Sequence, residues 1–192
     1  MRSNDAEKEF TKSVVLRPVL KLLMATLVVS AATPQCAEPV KLRSYSFCAP
    51  EGWRIQLDTT DVATLCSSKK PCATYFGSPP KGLTFVFVRP AAGLYGHAHY
   101  DGPREVVAAA PHAGLPDPEF SEVQLDRDPS GRSRKCFMSR RRLAWALAWD
   151  EQYALEINTH LFSVWARYED DPANIGRYRA GIVEILSSLR PK

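Results

Sequence analysis

Between Trp53 and Tyr168 apolar side chains recur at every second position in segment after segment, a period that favours β-sheet. Trp53, Ile55 and Leu57 alternate with Arg54, Gln56 and Asp58, which predicts a strand with one buried and one wet face. Leu83-Thr-Phe-Val-Phe-Val-Arg89 is apolar on both faces, as a central strand covered on both sides must be, and Pro90 ends it. Val123 and Leu125 alternate with Glu122, Gln124 and Asp126, and Asp128-Pro-Ser-Gly131 supplies hairpin turn chemistry. Leu143, Trp145, Leu147 and Trp149 then emerge at period two with Ala144, Ala146 and Ala148 between them. A large face beside a small one is what a strand needs where a helix presses closely. Asp150-Glu-Gln152 is expected to turn, Tyr153, Leu155 and Ile157 resume the alternation, and Phe162, Val164, Ala166 and Tyr168 form a last strand.

Two stretches change to helical period. Pro103 to Ala110 reads as a short helix, with Asp101 near its start and Pro111 stopping it. The stronger helix is C-terminal: Asp171 caps, Pro172 sits in the first turn, and Ile175, Tyr178, Ile182, Ile185, Leu186 and Leu189 share one face. Strands with one helix among them and another at the end predict an α+β chain, a largely antiparallel β-sheet with flanking helices.

The N-terminal part belongs to a different problem. Lys12, Arg17 and Lys21 precede Leu22–Ala32, eleven uncharged and mostly apolar residues, after which come Thr33, Pro34 and Gln35. Basic region, short apolar core and small residues are the order of a secretory signal, and the run is shorter than the roughly 20 residues a membrane span needs. Residues 1–32 are therefore expected to be a signal peptide, with cleavage as late as residue 37, and 38–192 a single domain. The expected location is the periplasm or the cell exterior. No second run reaches spanning length, so no membrane span is expected after signal removal. The formal charge of +4 falls to +2 without residues 1–32, which argues against a nucleic-acid partner. Apolar residues at 45% and charged ones at 24% suit one packed core.

Five cysteines, at 36, 48, 66, 72 and 136, are expected to be oxidised in an exported chain. Cys66 and Cys72 enclose only five residues, and proximity predicts that they pair. Elimination then joins Cys48 to Cys136 and leaves Cys36 alone. Cleavage after Ala32 retains Cys36, cleavage after Ala37 discards it, and Thr-Pro-Gln before it is a poor approach for lipidation.

Tyr45-Ser-Phe-Cys-Ala-Pro-Glu-Gly-Trp53 resembles the opening of PsbP-like proteins, an aromatic–x–aromatic pair followed by Pro-x-Gly-Trp. Tyr168-Glu-Asp-Asp-Pro172 and the helix closing on Ile185-Leu-Ser-Ser-Leu189 are similar to that family's last strand and helix. The family includes DcrB-like exported proteins. The resemblance spans residues 45 to 189 in order of elements; Cys66 to Cys72 and the basic stretch depart from it. It implies an α/β/α sandwich and a non-enzymatic binding or assembly role with no cofactor, and it transfers no functional residue.

His97, His99 and Asp101 alternate along Gly96-His-Ala-His-Tyr-Asp101. On an extended segment they point the same way, and imidazole with carboxylate suits a divalent metal. A metal-binding protein or metal-dependent hydrolase is thus the alternative function, while a polar loop with Asp101 as helix cap uses the same residues without a metal. No nucleophile elbow, phosphate loop or dinucleotide fingerprint occurs. Arg132, Arg134, Lys135, Arg140, Arg141 and Arg142 form the densest charge run, expected on a solvated hairpin rim. Arg140, Arg141 and Arg142, with Lys69 and Lys70 on the loop between cysteines, are the candidates for an anionic partner, either a protein or an envelope component.

Overall fold

The structure, a computed structural model, describes residues 36, 39–57, 59–67, 84–110, 115–125 and 134–192. The expected signal segment, Lys69, Lys70, Cys72, the turn at 128–131 and Arg132 lie outside the described residues. Three strands form a small sheet in the order β1-β2-β10: β1 (Pro39–Lys41), β2 (Tyr45–Cys48) and β10 (Arg190–Pro191). Seven form the main sheet in the order β3-β4-β5-β9-β8-β7-β6: β3 (Arg54–Leu57), β4 (Ala63–Cys66), β5 (Thr84–Pro90), β6 (Glu119–Gln124), β7 (Lys135–Leu143), β8 (Ala148–Ile157) and β9 (His160–Glu169). Every pairing is antiparallel. With helices α1 (Pro103–Ala108) and α2 (Ile175–Ser188), the chain is α+β, as its periodicity requires.

One face of the main sheet carries Val86 and Val88 of β5, Cys136 of β7, Tyr153, Leu155 and Ile157 of β8, and Phe162 to Tyr168 at alternate positions of β9. Against it pack Tyr178, Ile182, Ile185 and Leu186 of α2, together with Val40, Leu42, Tyr45 and Phe47 from the small sheet and its turn. The helical stripe read from the sequence is thus the buried one. Tyr45 locks the layers: its hydroxyl proton is shared between Val88 O at 2.7 Å and Asp61 O at 2.9 Å. The opposite face carries a smaller cluster in which Val106 and Val107 of α1 meet Ala154, Phe137 and Leu161. Helices on both faces make the α/β/α sandwich. Arg134, expected on a solvated rim, is buried and closes the C-terminus of α2, where Nη1 donates to Leu186 O and Ser187 O at 3.1 and 2.6 Å.

The strand expected from Leu143 to Trp149 does not exist as such. Leu143 ends β7, residues 144–147 make the hairpin turn, and Leu143 pairs with Ala148. Leu147 closes the turn at φ 46°, so Trp145 and Leu147 are 63% and 65% exposed. Asp150-Glu-Gln152, expected to turn, lies inside β8. A reading by polarity breaks the strand at this acidic pair, but the partners described below permit its burial.

The expected Cys48–Cys136 bridge is also replaced. β1 runs antiparallel to β2 and brings Cys36 beside Cys48, with which it forms a disulfide at a Cα separation of 5.4 Å. Cys136 sits inside the main core as a free thiol, pushed up to about 12 by burial. Elimination failed because it left out Cys36. Cys66 is disulfide-bonded.

Candidate functional site

After β5 the chain crosses the sheet end as a strap, residues 91–100. Ala91 N donates to Leu161 O at 2.8 Å, Gly93 N to His97 O at 3.0 Å, and the Tyr100 hydroxyl to Leu94 O at 2.6 Å. Gly93 and Gly96 adopt φ of 79° and 82°, a conformation glycine reaches without penalty. Facing the strap is the turn between β8 and β9, where Ile157 pairs with His160 and only Asn158 and Thr159 lie between. Both take positive φ, 48° and 68°, as a two-residue hairpin turn of the favoured twist demands.

Strap and turn enclose a cleft of about 270 Å³. Pro90, Leu161 and Phe162 give it apolar lining from the strands, Ala92, Ala98 and Tyr100 line the strap side, and Ser44, His99, Thr159 and His160 supply polar groups. His160 Nδ1 lies 2.9 Å from Asn158 O. A carbonyl only accepts, so Nδ1 carries the proton, and in the neutral ring Nε2 is left as an acceptor. The cleft therefore offers a small apolar volume bordered by two imidazoles, suited to a modest apolar group with a polar end.

Two of the three residues of the expected metal cluster stay near each other and the third packs elsewhere. His99 borders the cleft and its Nε2 is 3.9 Å from Asp101 Oδ1, with both side chains largely exposed. His97 instead stacks on Tyr100, ring centroids 5.3 Å apart. Among the described residues no group of three or more His, Cys, Asp and Glu side chains is arranged to hold a metal. Nor does the Asp101 side chain cap α1; its backbone N donates to Glu105 at 2.5 Å.

The arginines expected on a solvated rim are mostly engaged inside the fold. Asp150 and Glu151, adjacent on β8, point to opposite faces. Asp150 accepts from Trp165 Nε1 at 2.8 Å and from Arg167 Nε and Nη2 at 3.1 and 3.0 Å, and lies 3.4 Å from Arg141 Nε. Glu151 accepts from Arg179 Nη2 at 2.9 Å, from the Tyr168 hydroxyl at 2.7 Å and from the Tyr153 hydroxyl at 2.5 Å, and faces Arg140 Nε at 3.5 Å. Burial, and then the carboxylate beside them, raises both tyrosines well above their usual range. Arg141 is 5% exposed. Arg140 lies over the Trp149 ring at 3.6 Å. Arg142 is the outward member, bound to Asp170 at 2.6 Å with Trp149 Nε1 on the other carboxylate oxygen at 2.7 Å. Sequence reasoning named His99 but missed Ser44, Thr159 and His160; the Asn-Thr pair between two alternating runs was the available signal for a tight turn there.

No family model matches the chain, and no curated protein matches it in sequence. Among solved structures, a point mutant of the protein Mog1 is similar with a TM-score of 0.47 and 9% identity, over 80% of this chain and 94% of that one. LpqN, described as involved in cell envelope biogenesis of Mycobacterium tuberculosis, is similar with a TM-score of 0.46 and 13% identity, over 81% of this chain and 90% of that one. Likenesses at this level carry no argument about what this chain does.

Proposed function

We propose that the chain is an exported, non-enzymatic binding protein of the periplasm or cell exterior that holds a partner through the strap–turn cleft. The cleft carries the reading. At about 270 Å³ it falls below the usual range for a drug-sized ligand, so it suits one side chain, a short acyl end or a single ring of a protein or anionic envelope component. Export is supported by the basic and apolar order of residues 12–32 and by the Cys36–Cys48 disulfide, which persists in an oxidising compartment. The non-enzymatic reading is supported by how the buried acids are used: Asp150 and Glu151 are held to arginines as part of the fold.

Filling the cleft tests this. Ala98→Trp places an indole in the cleft from an exposed strap position, leaving the core untouched. Immobilised wild-type protein should retain an envelope component that the variant releases, with thermal midpoints within a few degrees of each other. Equal retention by the two proteins would remove the cleft from the recognition surface.

A further inference from the structure

The turn between β7 and β8 carries an unusual load. Ala144-Trp-Ala-Leu147 has no charge, and Trp145 and Leu147 point outward with more than three-fifths of each exposed. Leu147 does so at φ 46°, ψ 47°, a conformation that asparagine or glycine reaches more easily than leucine. A turn that had only to reverse the chain would gain nothing from either large side chain. The tip is nonetheless well held: Leu147 N donates to Ala144 O at 3.4 Å, and Asp170 N to Leu147 O at 2.7 Å. Taking these carbonyls out of water leaves them with partners.

We infer that this tip is a contact site for a lipid bilayer surface, into whose interfacial region Trp145 and Leu147 insert. The area decides between occupants. Together the two side chains expose on the order of 300 Å², well short of the roughly 800 Å² each partner buries in a stable protein interface. A bilayer sets no such minimum, and an indole with an apolar body and one N–H suits the headgroup boundary. Charge points the same way: the four tip residues carry none, and Arg142 just below is paired with Asp170, so the contact is apolar rather than electrostatic. Geometry makes it compatible with partner capture. The tip and the strap–turn cleft lie at opposite ends of β8, whose ten residues extend about 30 Å. A molecule resting on its tip holds the cleft away from the membrane.

Sedimentation with large vesicles tests the contact, using phosphatidylcholine alone and phosphatidylcholine mixed with phosphatidylglycerol, at millimolar lipid because two residues bind weakly. The wild-type protein should sediment with both, and raising salt should change the bound fraction less than about twofold, since screening acts on charges and not on apolar burial. Trp145→Ser with Leu147→Asn should lower partitioning about tenfold or more, with a thermal midpoint no lower than that of the wild type. Failure of the wild type to bind either vesicle, equal binding by the variant, or binding restricted to phosphatidylglycerol vesicles and abolished by salt would each overturn the inference. So would a lipid-free dimer of the wild type that the variant loses, because the tip would then be covered by a second copy. None of these outcomes bears on the cleft, which Ala98→Trp probes separately.

Discussion

Arg140 and Arg141 are adjacent on β7, Asp150 and Glu151 are adjacent on β8, and the register sets Arg140 opposite Glu151 and Arg141 opposite Asp150. Successive residues of a strand face opposite sides, so one stretch of ladder delivers an ion pair to each face of the sheet. An unpaired buried carboxylate is costly, and breaking a buried pair by removing one partner costs about 3–5 kcal/mol. Asp150 keeps Arg167, so the cost of Arg141→Glu, at a position 5% exposed and facing Asp150, comes from a second buried carboxylate set against the first. It should reach about 3–5 kcal/mol in urea denaturation. Arg142→Glu, in a side chain 60% exposed, should cost about 1 kcal/mol or less. Similar losses for the two would mean that Asp150 does not depend on Arg141. Reversing all three arginines together thus tests folding before it tests binding. The arginine run was legible in the sequence as a concentration of charge. Its use was not, because the answering acids look like a turn until the strand register brings them opposite.

Helix α2 is the element whose buried face the sequence stated most fully, since a 3.6-residue apolar period has one interpretation once its strands are in place. Its glycines carried no such signal. Gly176 and Gly181 stand in the same helix, yet a Cβ at Gly176 meets nothing within 4 Å, while one at Gly181 comes within 2.7 and 3.2 Å of the Trp53 ring and 3.3 Å of Pro50. Helix propensity alone favours alanine at both by about 1 kcal/mol. At Gly181 the indole must move against Pro50, and overpacking of this kind costs about 1–3 kcal/mol. Gly176→Ala should therefore raise the denaturation midpoint and Gly181→Ala should lower it. A rise at both would show that the Pro50–Trp53 turn yields without cost. The β7–β8 hairpin was misread for a related reason: Trp145 and Leu147 fit a strand by period, and only the Leu143–Ala148 pairing shows them at a tip.

At the scale of the molecule, the Cys36–Cys48 bridge ties the beginning of the folded domain to the strand that α2 and β10 both meet. It closes a loop of sequence separation 12, for which the chain-entropy relation gives about 3 kcal/mol. That is a large share of the roughly 5–15 kcal/mol that holds an ordinary domain together. On the export reading proposed above, the bridge also constrains processing. Cleavage after Ala37 removes Cys36 and leaves Cys48 without its partner, whereas cleavage after Ala32 keeps both. Mature protein recovered from an exporting host should therefore begin upstream of Cys36 and yield a Cys36–Cys48 cross-linked peptide under non-reducing digestion. Cys136, buried and with its thiol held neutral up to about 12, should resist alkylation in the native protein and react once denaturant opens the core. Cys36→Ser should lower the thermal midpoint and expose Cys48 to the same reagent without denaturant. A chain recovered beginning at Glu38, with Cys48 freely alkylated and stability equal to that of the longer form, would show that the bridge is absent from the processed form and that its domain is held by the α2–sheet core alone.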